Sequence, residues 1–193
     1  MNESTTMLRD ETYISGLEDF CRKLLHPEAV LVELGSFGGE STSILARFAG
    51  QVYAVDPWED TYQEAILHGC ADQNIVNYLK KVPVPSMAEI ETLFDERTRN
   101  LYNVTKIKDK AENVLGNFAD RSIDVLYIDA IHTYEAVKKQ IQDWRIKIKH
   151  GGLLAGHDFD RRTWPGVVRA VEEAIGKPDY TFSDTSWAYR IKD

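Results

Sequence analysis

Apolar and polar positions alternate between two periods along this chain. Short apolar runs end in glycine or acid, and longer stretches repeat their apolar residues every three to four positions. The run Val30, Leu31, Val32, Leu34 predicts a strand over Val30–Ser36, broken by Gly35-Ser36-Phe37-Gly38-Gly39. Ile44, Leu45, Ala46 and Phe48 then predict a helix over Gly38–Ala49, with Gly50 as its stop. QVYAV (Gln51–Val55) predicts a second strand, Thr105–Ile107 a third, DVLYID (Asp124–Asp129) a fourth and GGLLAG (Gly151–Gly156) a fifth. Between them, Ala136, Val137, Ile141, Trp144 and Ile148 share one face of a helix over Tyr134–Lys149. Pro165 opens another helix, with Val167, Val168, Val171 and Ile175 inward. Tyr180–Thr185 and Trp187–Ile191 read as two strands around a tight turn.

Repeated strand–helix alternation implies a parallel sheet covered on both faces. With the terminal hairpin, the expected fold is α/β: a Rossmann-like, doubly wound, mostly parallel seven-stranded sheet ending in an antiparallel hairpin. Leu8, Ile14, Leu17, Phe20, Leu24 and Leu25 predict an N-terminal helical cap over residues 1–27. Residues 59–101 exceed one crossover and read as a helical insertion near the site, with a third helix around Met87–Leu101. The whole chain, 1–193, is expected to form a single domain.

Polar residues collect where the parallel strands end: Glu33 to Gly38, Asp56, Asp109, Asp129, and His157 with Asp158. Ligands of such sheets bind outside the carboxyl ends of the strands, at the switch point beside strand one. Glycines there let the backbone approach a ligand closely. Dinucleotide sites space their glycines GxGxxG, whereas this turn reads Gly35-x-x-Gly38-Gly39, and no GK[ST] phosphate loop occurs. Asp56 after strand two suits a ribose, whether of an NAD-like or an adenosyl ligand.

Composition narrows the classes. The chain carries a net charge of −8, which disfavours a general grip on nucleic acid or an anionic membrane. No apolar run nears the roughly 20 residues of a membrane span, and the polar start MNESTTMLRDETY lacks a signal-peptide core. Cys21 and Cys70 have no metal-site spacing, and two reduced thiols fit a cytoplasmic enzyme.

ELGSFGGES at Glu33–Ser41 resembles the first motif of class I S-adenosylmethionine-dependent methyltransferases, in the E-x-G-x-x-x-G-x-S form of catechol-type O-methyltransferases. Asp56-Pro57-Trp58 resembles the second motif, and Lys108-Asp109-Lys110-Ala111 occupies the adenine-binding turn. YIDAIHTYEAVKKQIQDW, GGLLAGHDFD and PGVVRAVEE are similar to a bacterial branch that contains macrolide sugar O-methyltransferases. The resemblance covers residues 28–192.

The resemblance implies an O-methyltransferase acting on a small-molecule acceptor. The backbone near Gly35, Ser36, Phe37 and Gly38, with the Ser41 hydroxyl, would take the donor's carboxylate. Glu33 and Asp129 would offset its ammonium, Asp56 would hold the ribose, and Trp58 or Asp109–Lys110 would flank the adenine. For Glu33 a structural hydrogen bond to the turn, and for Trp58 plain packing, remain alternatives.

Strands four and five should be neighbours, which brings Asp129 and Asp158 together. Two close carboxylates imply a shared proton or a divalent cation. In the resembling family the cation is Mg²⁺, at positions that correspond to Asp129, His157 and Asp158. The nitrogen of His157 departs from the usual oxygen set and favours Mn²⁺, Fe²⁺ or Zn²⁺, or no direct bond at all. His132 falls where those enzymes place the general base. Arg161, Arg162, Trp164 and Tyr134 are candidates for the acceptor pocket. Self-association stays open. The competing readings are an NAD-linked oxidoreductase and a non-catalytic binding module, and some relatives of the fold are hydroxylases.

Overall fold

A computed structural model describes residues 11–59, 69–79, 81 and 85–192. Leu8 of the expected cap and Ala65–Leu67 of the insertion lie outside the described residues. The elements are α1 (Glu11–Leu24), β1 (Val30–Leu34), α2 (Glu40–Leu45), β2 (Gln51–Asp56), α3 (Gln73–Leu79), α4 (Met87–Thr98) and β3 (Val104–Lys108). Then follow α5 (Ala111–Val114), β4 (Ile123–Ile128), α6 (Tyr134–Trp144), β5 (Ile148–Gly156), α7 (Pro165–Ile175), β6 (Tyr180–Thr181) and β7 (Trp187–Arg190).

The strands form one 7-stranded sheet in the order β3-β2-β1-β4-β5-β7-β6. β1 to β5 pair in parallel, β7 runs antiparallel to β5, and β6 runs antiparallel to β7. This is the expected mixed, mostly parallel architecture. Strand alternation divides its core between two faces. Val32, Leu34, Leu126 and Ile128 face α6 and α7, whereas Leu31, Val125 and Tyr127 face α1 and α2. Leu17, Phe20 and Cys21 give α1 its buried stripe on that second face.

Several boundaries differ from the sequence expectation. The helix expected to Lys149 stops at Trp144, and a 3₁₀ turn (Arg145–Lys147) leads into β5 at Ile148. Gly151 and Gly152 therefore lie inside the strand, where the register to β4 shifts and Gly151 has φ 73°. β1 ends at Leu34 and α2 covers only Glu40–Leu45, because the residues between are spent on the glycine turn. α4 begins at a full capping box, with Ser86 and Glu89 satisfying each other's backbone amides.

Order reverses between β1 and β4, which are direct neighbours. The cleft of the molecule opens there. Among the described residues, no helix is long and apolar enough to cross a membrane. Both cysteines are unpaired and buried.

Candidate functional site

The glycine turn is tied on both sides. Gly35 N–H donates to Val55 O and Asp129 N–H donates to Leu34 O, each at 2.8 Å. The ends of β2, β1 and β4 are thereby clamped edge to edge. Gly35 has φ 90°, and a Cβ there would lie 2.2 Å from Asp129 O, so no other residue fits. Gly39 N–H closes a four-residue turn onto Ser36 O at 2.8 Å. Phe37 within it has φ 43°, a left-handed conformation that costs a non-glycine residue free energy.

Glu33 takes the face of β1 that packs under α2 and is fully buried. Thr42 Oγ1 donates to its Oε2. Burial pushes its carboxyl up to about 7, against the pull of the Ser41, Thr42 and Ser36 hydroxyls; the negative charge of Asp129 adds to the rise. Glu33 and Ser41 thus face each other beneath α2. Neither they nor Ser36 and Gly38 line the neighbouring cavity, whereas Gly35 and Phe37 do.

That cavity has a volume of about 250 Å³. Leu34, Gly35 and Phe37 form one end; Val55, Asp56 and Pro57 form its flank, with Lys110, Ala111 and Ile131 beyond. Asp56 is buried, and burial raises its carboxyl while backbone N–H groups oppose the rise. Its Oδ1 accepts from Trp58 N–H at 2.8 Å and its Oδ2 from Phe37 N–H at 3.0 Å. Each oxygen retains acceptor capacity for a further donor such as a ribose hydroxyl. Lys110 lines the mouth and pairs with Glu59 at 2.9 Å. Asp109 is exposed, accepting from Lys110 N–H and Asn113 Nδ2, and caps its own turn outside the cavity.

Trp58 does not line the cavity. It is 5% exposed, its indole N–H donates to Phe37 O at 2.9 Å, and its ring meets Phe94 edge-on at 5.0 Å. The aromatic after Pro57 turns away because α4 presents Ile90 and Phe94 to it.

At the ends of β4 and β5 four polar side chains meet. His132 Nε2 lies 2.6 Å from Asp158 Oδ2 and 3.6 Å from Asp129 Oδ1. His157 Nδ1 lies 3.2 Å from Asp158 Oδ1 and 3.8 Å from Asp129 Oδ1. One ligand atom each from Asp129, His132 and Asp158 falls within 4.8 Å of the others, a spacing fit for a metal ion. His132, rather than His157, completes this set. Burial opposes charge on His132, yet the Asp158 and Asp129 carboxylates outweigh it and push the imidazole up to about 10. Burial acts likewise against Asp158, and the two imidazoles hold it far below the usual carboxylate range. Asp158 adopts φ 62°, which turns its carboxylate back toward β4.

Thr133 caps α6, accepting from Ala136 N–H at 3.3 Å. The His132 ring instead lies on Trp164, 4.5 Å between centroids. Thr163 O accepts from Ala71 N–H at 2.8 Å, bringing the segment between β2 and β3 to this edge. Tyr134 points into the α6–α7 seam, where its hydroxyl donates to Glu173. Arg161 pairs with Glu172, and Arg162, strongly exposed, lies 3.9 Å from Asp72.

Sequence reasoning passed over Gln140, Glu59, Met87 and Arg97. Gln140 had a signal: it lies three residues after Val137 and four before Trp144, on the buried stripe of α6, and it lines the cavity. Arg97 had none, because its partners are 57 and 59 residues away.

The family model described as "Methyltransferase domain" matches residues 32–159, more than half of the chain. The chain belongs to this family, and with its Rossmann-like sheet it is a class I methyltransferase. Family membership overrides the NAD-linked reading. No curated protein matches the chain. Cofactor-bound Rv0187 from MTB is similar in structure, with TM-score 0.59 and 15% identity over 98% of this chain and 84% of that one. The O-methyltransferase from Bacillus cereus, in complex with SAH, gives TM-score 0.56 and 16% identity, covering 93% of this chain and 79% of that one. An rRNA methylase from Streptococcus thermophilus gives TM-score 0.56 and 16% identity, covering 96% and 99%. Identities this low establish the shared fold alone. Of some other matched chains, this one spans about half the length.

Proposed function

We propose that this protein transfers a methyl group from S-adenosylmethionine to a hydroxyl of a small-molecule acceptor, assisted by a divalent cation. One observation carries the reading. Asp129 belongs both to the lining of the cavity and to the acid–imidazole cluster, so a single carboxylate joins donor space to acceptor space.

The residues present fit both groups. The cradle at Gly35 admits no side chain, Asp56 keeps acceptor capacity at its flank, and Lys110 stands at the mouth. The carboxylates of Asp129 and Asp158, with His157 Nδ1 3.8 and 3.2 Å from them, suit Mn²⁺ or Mg²⁺, a nitrogen neighbour favouring the former. When bound, the donor supplies an electrophilic methyl, and the cation lowers the acceptor's pKa and orients it.

The chain's own residues do the rest. Asp129 and Asp158 would hold the cation. Without it, both carboxylates keep His132 as imidazolium at neutral pH, unable to accept a proton. With their charge engaged by a bound cation, His132 Nε2 would be free to take the acceptor's proton. Trp164 fixes its ring plane. A small acceptor rather than nucleic acid is supported by the net charge of −8, and the two unpaired thiols support a cytoplasmic setting.

Calorimetry with S-adenosylhomocysteine tests the donor site: micromolar binding is expected, and none would remove the reading. Titration with Mn²⁺ followed by electron paramagnetic resonance tests the cation. His132→Ala distinguishes roles: as base it loses turnover and keeps Mn²⁺ affinity, whereas as ligand it loses both.

A further inference from the structure

We propose that Arg97, together with Trp58, positions the glycine turn for the methyl donor, making α4 a brace that sets donor affinity. The inference rests on the donor site proposed above, and it assigns a role to the segment between β2 and β3.

Consecutive carbonyls of the turn are pinned from outside the sheet. The Trp58 indole N–H donates to Phe37 O at 2.9 Å, and Arg97 Nη1 donates to Gly38 O at 2.5 Å. Arg97 Nη2 also donates to Glu40 Oε1 at 3.2 Å, and this pair is largely shielded from solvent. Phe94, one turn earlier on α4, supports the same loop. A Cβ on Gly39 would lie 3.1 Å from its ring, and the ring also packs edge-on against Trp58.

These contacts hold a conformation that the turn resists. Phe37 at φ 43° and Trp58 at φ 47° are both left-handed without being glycine. Such conformers persist only where the surroundings over-determine them. In a trans peptide the C=O and the following N–H point in opposite directions. Drawing Phe37 O toward Trp58 therefore turns Gly38 N–H to the other side, and drawing Gly38 O toward Arg97 turns Gly39 N–H toward Ser36 O. Phe37 itself forms the cavity wall, so a relaxed turn would reshape the donor space directly.

Arg97 sits between the turn and Glu40, and its guanidinium offers the fork geometry needed to hold a carbonyl and a carboxylate at once. Lysine, with one ammonium, would keep the carbonyl bond and weaken the second. No other described side chain donates to Gly38 O.

The test is calorimetry of S-adenosylhomocysteine binding to wild type, Arg97→Met, Arg97→Lys and Trp58→Phe, beside the melting temperature of each without ligand. Phenylalanine keeps an aromatic ring against Phe94 and removes the indole N–H together with one ring's volume. Arg97→Met and Trp58→Phe should each weaken binding by about tenfold or more; the ligand-free melting temperature should stay close to wild type in Arg97→Met and fall in Trp58→Phe, where a buried ring is lost. Arg97→Lys should recover most of the affinity lost by Arg97→Met. Unchanged affinity in Arg97→Met would overturn the brace, as would an affinity loss in Arg97→Met that merely follows a falling melting temperature or that Arg97→Lys fails to recover. A wild type that binds no S-adenosylhomocysteine would instead remove the donor site itself, a result visible before any variant is made.

Discussion

His132 Nε2 and Asp158 Oδ2 stand 2.6 Å apart at the buried junction of β4 and β5, with Asp129 Oδ1 3.6 Å from the same nitrogen. Two imidazoles, those of His132 and His157, are set against these two carboxylates. Close carboxylates in a desolvated place are the kind of group a divalent cation binds.

The two carboxylates should separate by function. Asp129 lines the donor cavity as well as the cluster, and Asp158 belongs to the cluster alone. Asp158→Asn should lower Mn²⁺ affinity by about a hundredfold, the weight of one charged ligand, and leave S-adenosylhomocysteine affinity near wild type. Asp129→Asn should weaken both. Calorimetry with each ligand reads the difference. Chelator should abolish turnover, and Mn²⁺ should restore it.

Glu33 makes stability pH-dependent. Its folded carboxyl sits at about 7, against an ordinary value of 4.5. The folded state therefore holds a proton that the unfolded state releases, and stability falls as pH rises from 4.5 through 7. The loss is roughly 3 kcal/mol at most. Glu33→Gln should remove this slope while keeping an acceptor for Thr42. Urea unfolding at a series of pH values shows whether the two curves diverge between pH 4.5 and 7, in favour of glutamine, and run parallel above.

Two glycines should respond in opposite ways to alanine. At Gly35 the new Cβ meets Asp129 O at 2.2 Å with φ at 90°. Gly35→Ala should cost about 3 kcal/mol or more and abolish donor binding. At Gly116 nothing lies within 4 Å of the added atom, and φ is not in the left-handed range. Gly116→Ala should be neutral or stabilise by about 0.5 kcal/mol through the unfolded chain. Thermal melts compare them.

Asp56 organises the turn from below. It accepts from the backbone N–H of Phe37 and Trp58, both left-handed residues. Asp56→Ala leaves buried donors unpaired at about 1–3 kcal/mol each. Donor affinity should fall by about a hundredfold or more, and thermal stability should fall with it. That joint loss distinguishes Asp56 from Arg97, whose removal should affect affinity alone.

Local features of the chain already expressed much of this design. The strand ends were legible because glycine and acid break short apolar runs. The seven strands and their mixed direction followed from alternating periods and a terminal hairpin. Asp129 and Asp158 could be placed together because strands four and five are neighbours in any such sheet. Misjudged boundaries had local causes too: Ile148 continues the helical spacing of α6 yet begins β5, since a 3₁₀ turn leaves that spacing intact.

By itself, then, the sequence determined the α/β sheet, the glycine turn at Gly35 and the acids at the strand ends. Periodicity and turn chemistry are properties of neighbouring residues. Only the tertiary structure decided which way those residues face. Packing of α2 onto β1 sent Glu33 and Ser41 beneath the helix, and packing of α4 onto β2 took Trp58 from the cavity into the brace. Trp164 on α7's approach set the ring of His132, bringing it beside the same two carboxylates that His157 reaches. Spacing along a chain fixes where a side chain is attached, whereas its direction depends on the element packed across from it, often tens of residues away.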